Sequence, residues 1–188
     1  MVMTIQEFAT IAAAIKAAYP AANIMPDKQS KDVWYTMLAD LEYRVCLNAL
    51  KKHISTNRFP PTIAELRRGC ADILAGPDVD WSEAWGRVLL AVRRDGMYNE
   101  PAALERMGPE AAKIVKRLGF KNICMSENIE VERANFRMAW ETEQRRRKED
   151  LAIPGKVMQE IQTTYRLQRE NLIGTGGDHE EKQDVEHV

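Results

Sequence analysis

The sequence lacks any apolar run long enough to span a bilayer, so no membrane helix is expected. Net charge is nearly absent as well, with 27 basic and 28 acidic side chains giving −1. A protein that grips duplex DNA mainly through phosphates is usually strongly basic; neutrality argues against that role but leaves room for a local patch. Cysteine is scarce. Cys46, Cys70 and Cys124 lie far apart with no Cys-x-x-Cys pair, which excludes a disulfide framework or zinc knuckle and suits buried thiols in a reducing cytosol. Aromatics are only 7%, so a core must lean on Ala, Leu, Ile, Val and the nine Met. Missing too are a glycine-rich phosphate loop followed by lysine, paired histidines at ligand spacing and any acidic calcium loop, so no cofactor or metal is expected. The stretch after Met1 has no basic start followed by a long apolar run, and the expectation is a cytosolic protein without a secretory signal.

What is present is helical periodicity from end to end. Thr4 and Glu7 have the spacing of a capping box, and Ile5, Phe8, Ile11, Ala12, Ile15 and Tyr19 follow at helical spacing up to Pro20. Trp34, Met37, Leu38 and Leu41 make one stripe; Tyr43, Cys46, Leu47, Leu50 and Ile54 make the next. A single helix from Ser30 to Thr56 would be roughly 40 Å long, so a break is expected near Asp40, with Asp40 capping the second helix. Phe59-Pro60-Pro61-Thr62 is the sharpest punctuation, and Thr62 with Glu65 forms another capping box ahead of Ile63, Leu66, Cys70, Ile73 and Leu74. Gly76-Pro77 ends that helix and marks the expected domain boundary.

The second half repeats the grammar. Asp80 and Glu83 are spaced as cap and box partner for a helix through Trp81, Ala84, Trp85, Val88, Leu89 and Val92, closed by Gly96. Asn99 is placed to cap a short helix through Met107, and Pro109 opens another that closes at Gly119. Phe120, Ile123 and Cys124 read as a connector. Ser126 and Ile129 then open a long helix that carries Arg133, Phe136 and Trp140 as far as Pro154-Gly155. The expected fold is all-α: two small helical clusters, 1–76 and 77–153, an amphipathic segment 154–173, and a disordered acidic tail 174–188. Charge divides accordingly, +2 over 1–75, 0 over 76–153 and −3 over 154–188, so no basic domain is concealed.

Three features invite a functional reading. Arg145-Arg146-Arg147-Lys148 is the strongest basic run, suited to nucleic acid, to an acidic protein face, or simply to a solvated helix end. Val157, Met158, Ile161 and Tyr165 form an apolar stripe beyond a Pro-Gly break, where a helix can dock on its own protein or in a partner's groove. His53 lies near a helix C-terminus, where a structural role is expected. Glu130, Glu132, Glu141 and Glu143 interleave with Arg133, Arg137 and Arg145 as ion pairs of a solvated face, and the four Trp fall on core stripes.

Residues 4–74 resemble the N-terminal helical domain of phage replicative helicase loader/inhibitor proteins. The resemblance is carried by Ala17-Ala18-Tyr19-Pro20, by Val33-Trp34-Tyr35-Thr36-Met37-Leu38, by Ala49-Leu50-Lys51-Lys52-His53-Ile54 and by Phe59-Pro60-Pro61-Thr62-Ile63-Ala64-Glu65-Leu66. Residues 81–161 resemble the region that follows this domain in phage and prophage members, through Ala84-Trp85, Ala134-Asn135-Phe136-Arg137, the basic run and the Leu151 to Pro154 stretch. The resemblance implies a non-enzymatic replication accessory protein in the bacterial host cytosol. Such a protein binds the hexameric DnaB-type replicative helicase, restrains its ATPase and unwinding activities, and delivers it to an origin-bound initiator. In compact members the segment after the helical domain is flexible and orders on the helicase; here the equivalent expectation falls on 156–172, with Val157, Met158, Ile161 and Tyr165 as contact residues. The alternative is a DNA-binding replication or regulatory protein that uses Arg145, Arg146, Arg147 and Lys148.

Overall fold

The computed structural model describes residues 2–174. All regular structure among them is α-helical, in ten helices: α1 (Ile5–Ala18), α2 (Lys28–Leu38), α3 (Tyr43–Thr56), α4 (Ile63–Ala75), α5 (Trp81–Asp95), α6 (Glu100–Met107), α7 (Pro109–Leu118), α8 (Phe120–Met125), α9 (Ile129–Ala152) and α10 (Gly155–Gly174). The acidic run from Asp178 lies outside the described residues.

Local chemistry sets most boundaries. Thr4 accepts from the Glu7 N–H at 3.3 Å while the Glu7 carboxylate accepts from the Thr4 N–H at 2.8 Å; Thr62 and Glu65 repeat this at 3.2 and 2.8 Å. These reciprocal bonds satisfy backbone donors that a first turn leaves without partners. Asp27 and Ser30 cap α2 in the same way. At the other ends, Gly76 and Gly96 take φ of +75° and +66°, a conformation that glycine reaches without Cβ strain.

Three expected caps are different in the structure, the first being Asn99, which precedes α6 but makes no side-chain bond to its first turn. Asp80 accepts from the Ser82 N–H at 2.6 Å, but Glu83 turns away along the helix to Arg87, 2.5 Å distant, so no box closes. The break near Asp40 is real, yet α3 starts after Glu42 without a side-chain cap, because the Asp40 carboxylate is engaged elsewhere. The expected connector at Phe120, Ile123 and Cys124 is a helix of its own, α8, which seals one end of the second core with Phe120 and Ile123.

The helices enclose two hydrophobic cores. Phe8, Ile11, Ile15, Leu38, Leu41, Cys46, Leu50, Leu66 and Cys70 fill the first, from α1 to α4. There α3 and α4 approach closely: a Cβ on Gly69 would come within 3.3 Å of the Ala49 Cβ. The second core gathers Trp85, Val88, Met107, Ile114, Val115, Phe120, Ile123, Phe136 and Trp140 from α5 to α9. In it Phe136 lies between Trp85 and Trp140, with ring centroids 5.2 and 5.7 Å away. Trp140 also donates its indole N–H to the Val79 carbonyl at 3.2 Å, which pins the linker between the clusters. Trp81 is only half-buried, covered by the Arg133 and Arg137 guanidiniums at 5.3 and 5.2 Å from its ring. Ile73 and Leu74, expected on the buried face of α4, stand exposed, the core ending at Cys70 and Ala71.

The clusters meet where α9 packs along α4. At the end of that seam Arg67 of α4, 3% exposed, is the one buried charged residue among the described residues. Its Nη1 and Nη2 donate to the two Asp40 carboxylate oxygens at 2.7 and 2.9 Å; Nη1 also reaches the Met37 carbonyl, and Nε the Ala152 carbonyl at the end of α9, both at 2.5 Å. Asp40 Oδ2 further accepts from the Gly155 N–H that opens α10, at 3.3 Å. One guanidinium thus joins the end of α2, α4 and the α9–α10 junction.

Burial pushes the Asp40 carboxyl upward, but the Arg67 hydrogen bonds and charge, with the Gly155 N–H, outweigh it and hold the group below the usual aspartate range. A carboxyl depressed in the folded state adds stability that is whole above its unfolded value, about 4, and is lost as pH falls through the folded value. Asp40→Asn is expected to cost about 2 kcal/mol at neutral pH, less than for a fully enclosed pair because Asp40 keeps an exposed edge. Urea unfolding across pH measures this, and the gap between wild type and variant should close below about pH 4.

Candidate functional site

The apolar stripe read from the sequence lies on α10. Helix formation there follows from the Pro154-Gly155 break: the chain turns at residues 153–154, and the Met158 N–H closes the first turn onto the Pro154 carbonyl at 2.9 Å. Val157, Ile161 and Tyr165 are spaced four apart, with Met158 beside them, so all four share one face. The structure grades them. Val157, Met158 and Ile161, in the first two turns after the Gly155–Asp40 bond, are half-buried; Tyr165 is 66% exposed and Leu167 52%. Among the described residues no other helix packs along α10. Its root is fastened and its outer turns carry bare apolar side chains, an arrangement suited to an amphipathic helix that enters a partner's groove.

The basic run is largely neutralised within the protein. Arg147 pairs with Glu110 of α7; Lys148 is 2.8 Å from Asp78 and 4.0 Å from Asp72; Arg145 is 4.0 Å from Glu149. The Asp78 carboxylate raises the lysine above its usual value. These residues help fasten α9 to its neighbours, with Lys113 of α7 bonded to Glu143 in the same seam. Arg146 remains exposed on the rim of an open cleft of about 690 Å³ between α7 and α9. The expected helix-face pairs are present as Glu130–Arg133 and Arg137–Glu141.

A surface that the periodicity did not single out is the loop joining α3 to α4. Phe59 is 73% exposed there. The loop is held from below: Tyr19 donates its hydroxyl to the Asn57 carbonyl at 3.0 Å, and His53 Nε2 lies 3.0 Å from the Phe59 carbonyl, which requires Nε2 to carry the proton. Asn57 Nδ2 stands 3.4 Å from His53 Nδ1, consistent with that tautomer. The expected structural role of His53 is therefore a specific one, to fix the loop that displays Phe59. The signal in sequence was a phenylalanine ahead of a double proline, a place where no helix face needs it.

A third surface is the groove between α1 and α2, about 460 Å³, floored by Phe8, Ala12 and Tyr35 with Lys16, Lys28 and Lys31 at its edges. Cys46 and Cys70 lie buried in the first core, where contact with Cys70 together with burial pushes the Cys46 thiol up and keeps it unreactive. No helix among the described residues is long and apolar enough to cross a membrane.

Together these features describe an all-α scaffold that displays fixed apolar side chains at its surface. Residues 3–67 match the family model for the N-terminal domain of phage helicase loader/inhibitor proteins. The match spans α1 to the first turn of α4, including the Asn57–Pro61 loop and Arg67, and it supports the family that the sequence blocks indicated for this part of the chain. Neither the curated proteins nor the solved structures compared with this chain give a match.

Truncating an exposed side chain should leave the fold intact, while truncating a core aromatic should not. Phe59→Ala and Tyr165→Ala are each expected to change unfolding free energy by less than about 0.5 kcal/mol. Trp140→Ala should cost about 3–5 kcal/mol. Thermal denaturation of the three variants measures the contrast, and a large loss from Tyr165→Ala would place α10 against its own protein.

Proposed function

We propose that this chain is a phage DNA-replication accessory protein that binds the hexameric DnaB-type replicative helicase of its host system. It restrains the helicase's ATPase and unwinding, and hands it to an origin-bound initiator. The role is non-catalytic and exercised in the host cytoplasm. The observation that carries this reading is the family match over residues 3–67. The bare outer face of α10 supports it, since a protein that works by contact needs an apolar surface its own fold leaves uncovered.

In this reading residues 1–76 form the loader/inhibitor-like domain, 77–153 a second helical unit, and 154–173 the helicase-contacting segment. Val157 and Met158 set the root of that segment, while Ile161 and Tyr165 enter the partner. The acidic residues from Asp178 onward fit a basic surface on the helicase. A direct DNA-binding role for residues 145–148 has less support, because Arg147 and Lys148 are already occupied by Glu110, Asp78 and Asp72.

Pull-down of the cognate helicase in the presence of ATP, by the full chain and by a chain ending at Pro154, tests both levels of the proposal. The full chain should bind with micromolar or tighter affinity. Ile161→Asp with Tyr165→Ala should weaken binding by at least about tenfold, the loss of roughly 1.4 kcal/mol or more. No association of the full chain would remove the helicase reading. Undiminished binding by the shortened chain would instead move the contact away from α10, with Phe59→Ala as the next variant to measure.

A further inference from the structure

We propose that the corner between α5 and α6 is a contact site for single-stranded nucleic acid, distinct from the basic run on α9 and independent of any helicase contact. Arg87, Leu90, Arg93 and Arg94 follow one another at helical spacing on the outer face of α5, opposite the buried Ala84, Val88 and Ala91. Arg106 of α6 joins them, and these five residues alone line a shallow cleft of about 490 Å³. Two of the guanidiniums are held in place: Arg87 by Glu83 at 2.5 Å, and Arg106 through Nε and Nη2 by Asp95 at 2.9 and 3.3 Å, with Glu105 beside it. Arg93 and Arg94 have no carboxylate within ion-pairing distance among the described residues.

Tyr98 stands in the turn between the two helices and is 93% exposed, more than any other large apolar or aromatic side chain described. It adds nothing to either core. Two cations in the last turn of α5 suit the helix dipole. That accounts for Arg93 and Arg94, and Glu83 and Asp95 account for Arg87 and Arg106, but none of these accounts for a bare aromatic ring four residues beyond two arginines that lack a carboxylate partner. Single-stranded nucleic acid uses the features left over: phosphates meet the Arg93 and Arg94 guanidiniums, a base stacks on the Tyr98 ring, and Leu90, 63% exposed, supplies an apolar floor. Duplex DNA buries its base faces and would leave Tyr98 without a partner. An acidic peptide would pair with the arginines but has no ring to set on it.

The site is tested with the full chain alone, by fluorescence anisotropy of a labelled oligothymidylate of about 20 nucleotides, competed by unlabelled strand, by duplex and by polyglutamate. The wild type should bind in the micromolar range at low salt. Arg93→Ala with Arg94→Ala should weaken binding at least about tenfold and flatten the slope of log K against log salt by about 1.4, the share of two phosphates. Tyr98→Ala should weaken it by about fivefold to a hundredfold, and Tyr98→Trp should restore it. Arg146→Ala on α9 should bind as the wild type does.

Absence of binding by the wild type overturns the proposal, as does binding unchanged in the arginine pair and in Tyr98→Ala. So does polyglutamate competing as well as the unlabelled strand, which would assign the corner to an acidic protein segment. The Tyr98 variants alter a side chain that the fold does not use, so the test stands even where the double arginine variant is less stable. No helicase enters the assay, so its outcome and that of the helicase pull-down are read separately.

Discussion

Arg67 imposes the constraint around which the rest of the molecule is arranged. A guanidinium that cannot lose its proton and is removed from water must be given acceptors, or its desolvation cost goes uncompensated. Here two come from a carboxylate and two from helix-end carbonyls. The acceptors come from two separate stretches of chain, residues 37–40 at the end of α2 and residue 152 at the end of α9. Satisfying one cation therefore fixes where α2 ends, how α9 finishes against α4 and where α10 departs. The planar fork matters as much as the charge, because a lysine in this position could not hold both Asp40 oxygens and the carbonyls from fixed directions.

This explains where reading the chain in one dimension succeeded and failed. Thr4 and Thr62 with their glutamates, Gly76, Gly96 and Pro109 act within a turn or two of themselves, and their effects were legible. Asp40 has the composition and position of a cap for α3, but a partner 27 residues later outcompetes the local backbone donors. The clue was in α4: Arg67 is four residues after Ile63 and three before Cys70, on the stripe that otherwise enters the core. A charge on an apolar stripe asks for a buried counter-charge, but pattern alone does not say which one. Glu83 is the same case, since a glutamate three residues after an aspartate is equally four residues before Arg87, and the pair along the helix is the one that forms.

The candidate surfaces divide along the same line. The stripe on α10 was visible as periodicity, because an uncovered amphipathic helix has the same sequence signature as a covered one; what periodicity lacks is knowledge of whether anything lies against it. The contiguous basic run at 145–148 drew attention by adjacency, yet folding places acids from α7 and the linker against it. The arginines of α5 and α6, scattered in sequence, are brought together, and of them Arg93 and Arg94 are left without an acid while Arg87 and Arg106 are paired. Phe59 passed as punctuation because its significance depends on Tyr19 and His53, which arrive from α1 and α3 to hold its loop.

The clasp at the foot of α10 has a mechanical consequence. Twenty helical residues make a lever of about 30 Å. Its pivot is the Ile153–Gly155 turn, fastened through the Gly155 N–H to Asp40 and through the Ala152 carbonyl to Arg67. The guanidinium sits in α4, so the foot of this lever and the first helical cluster share one set of hydrogen bonds.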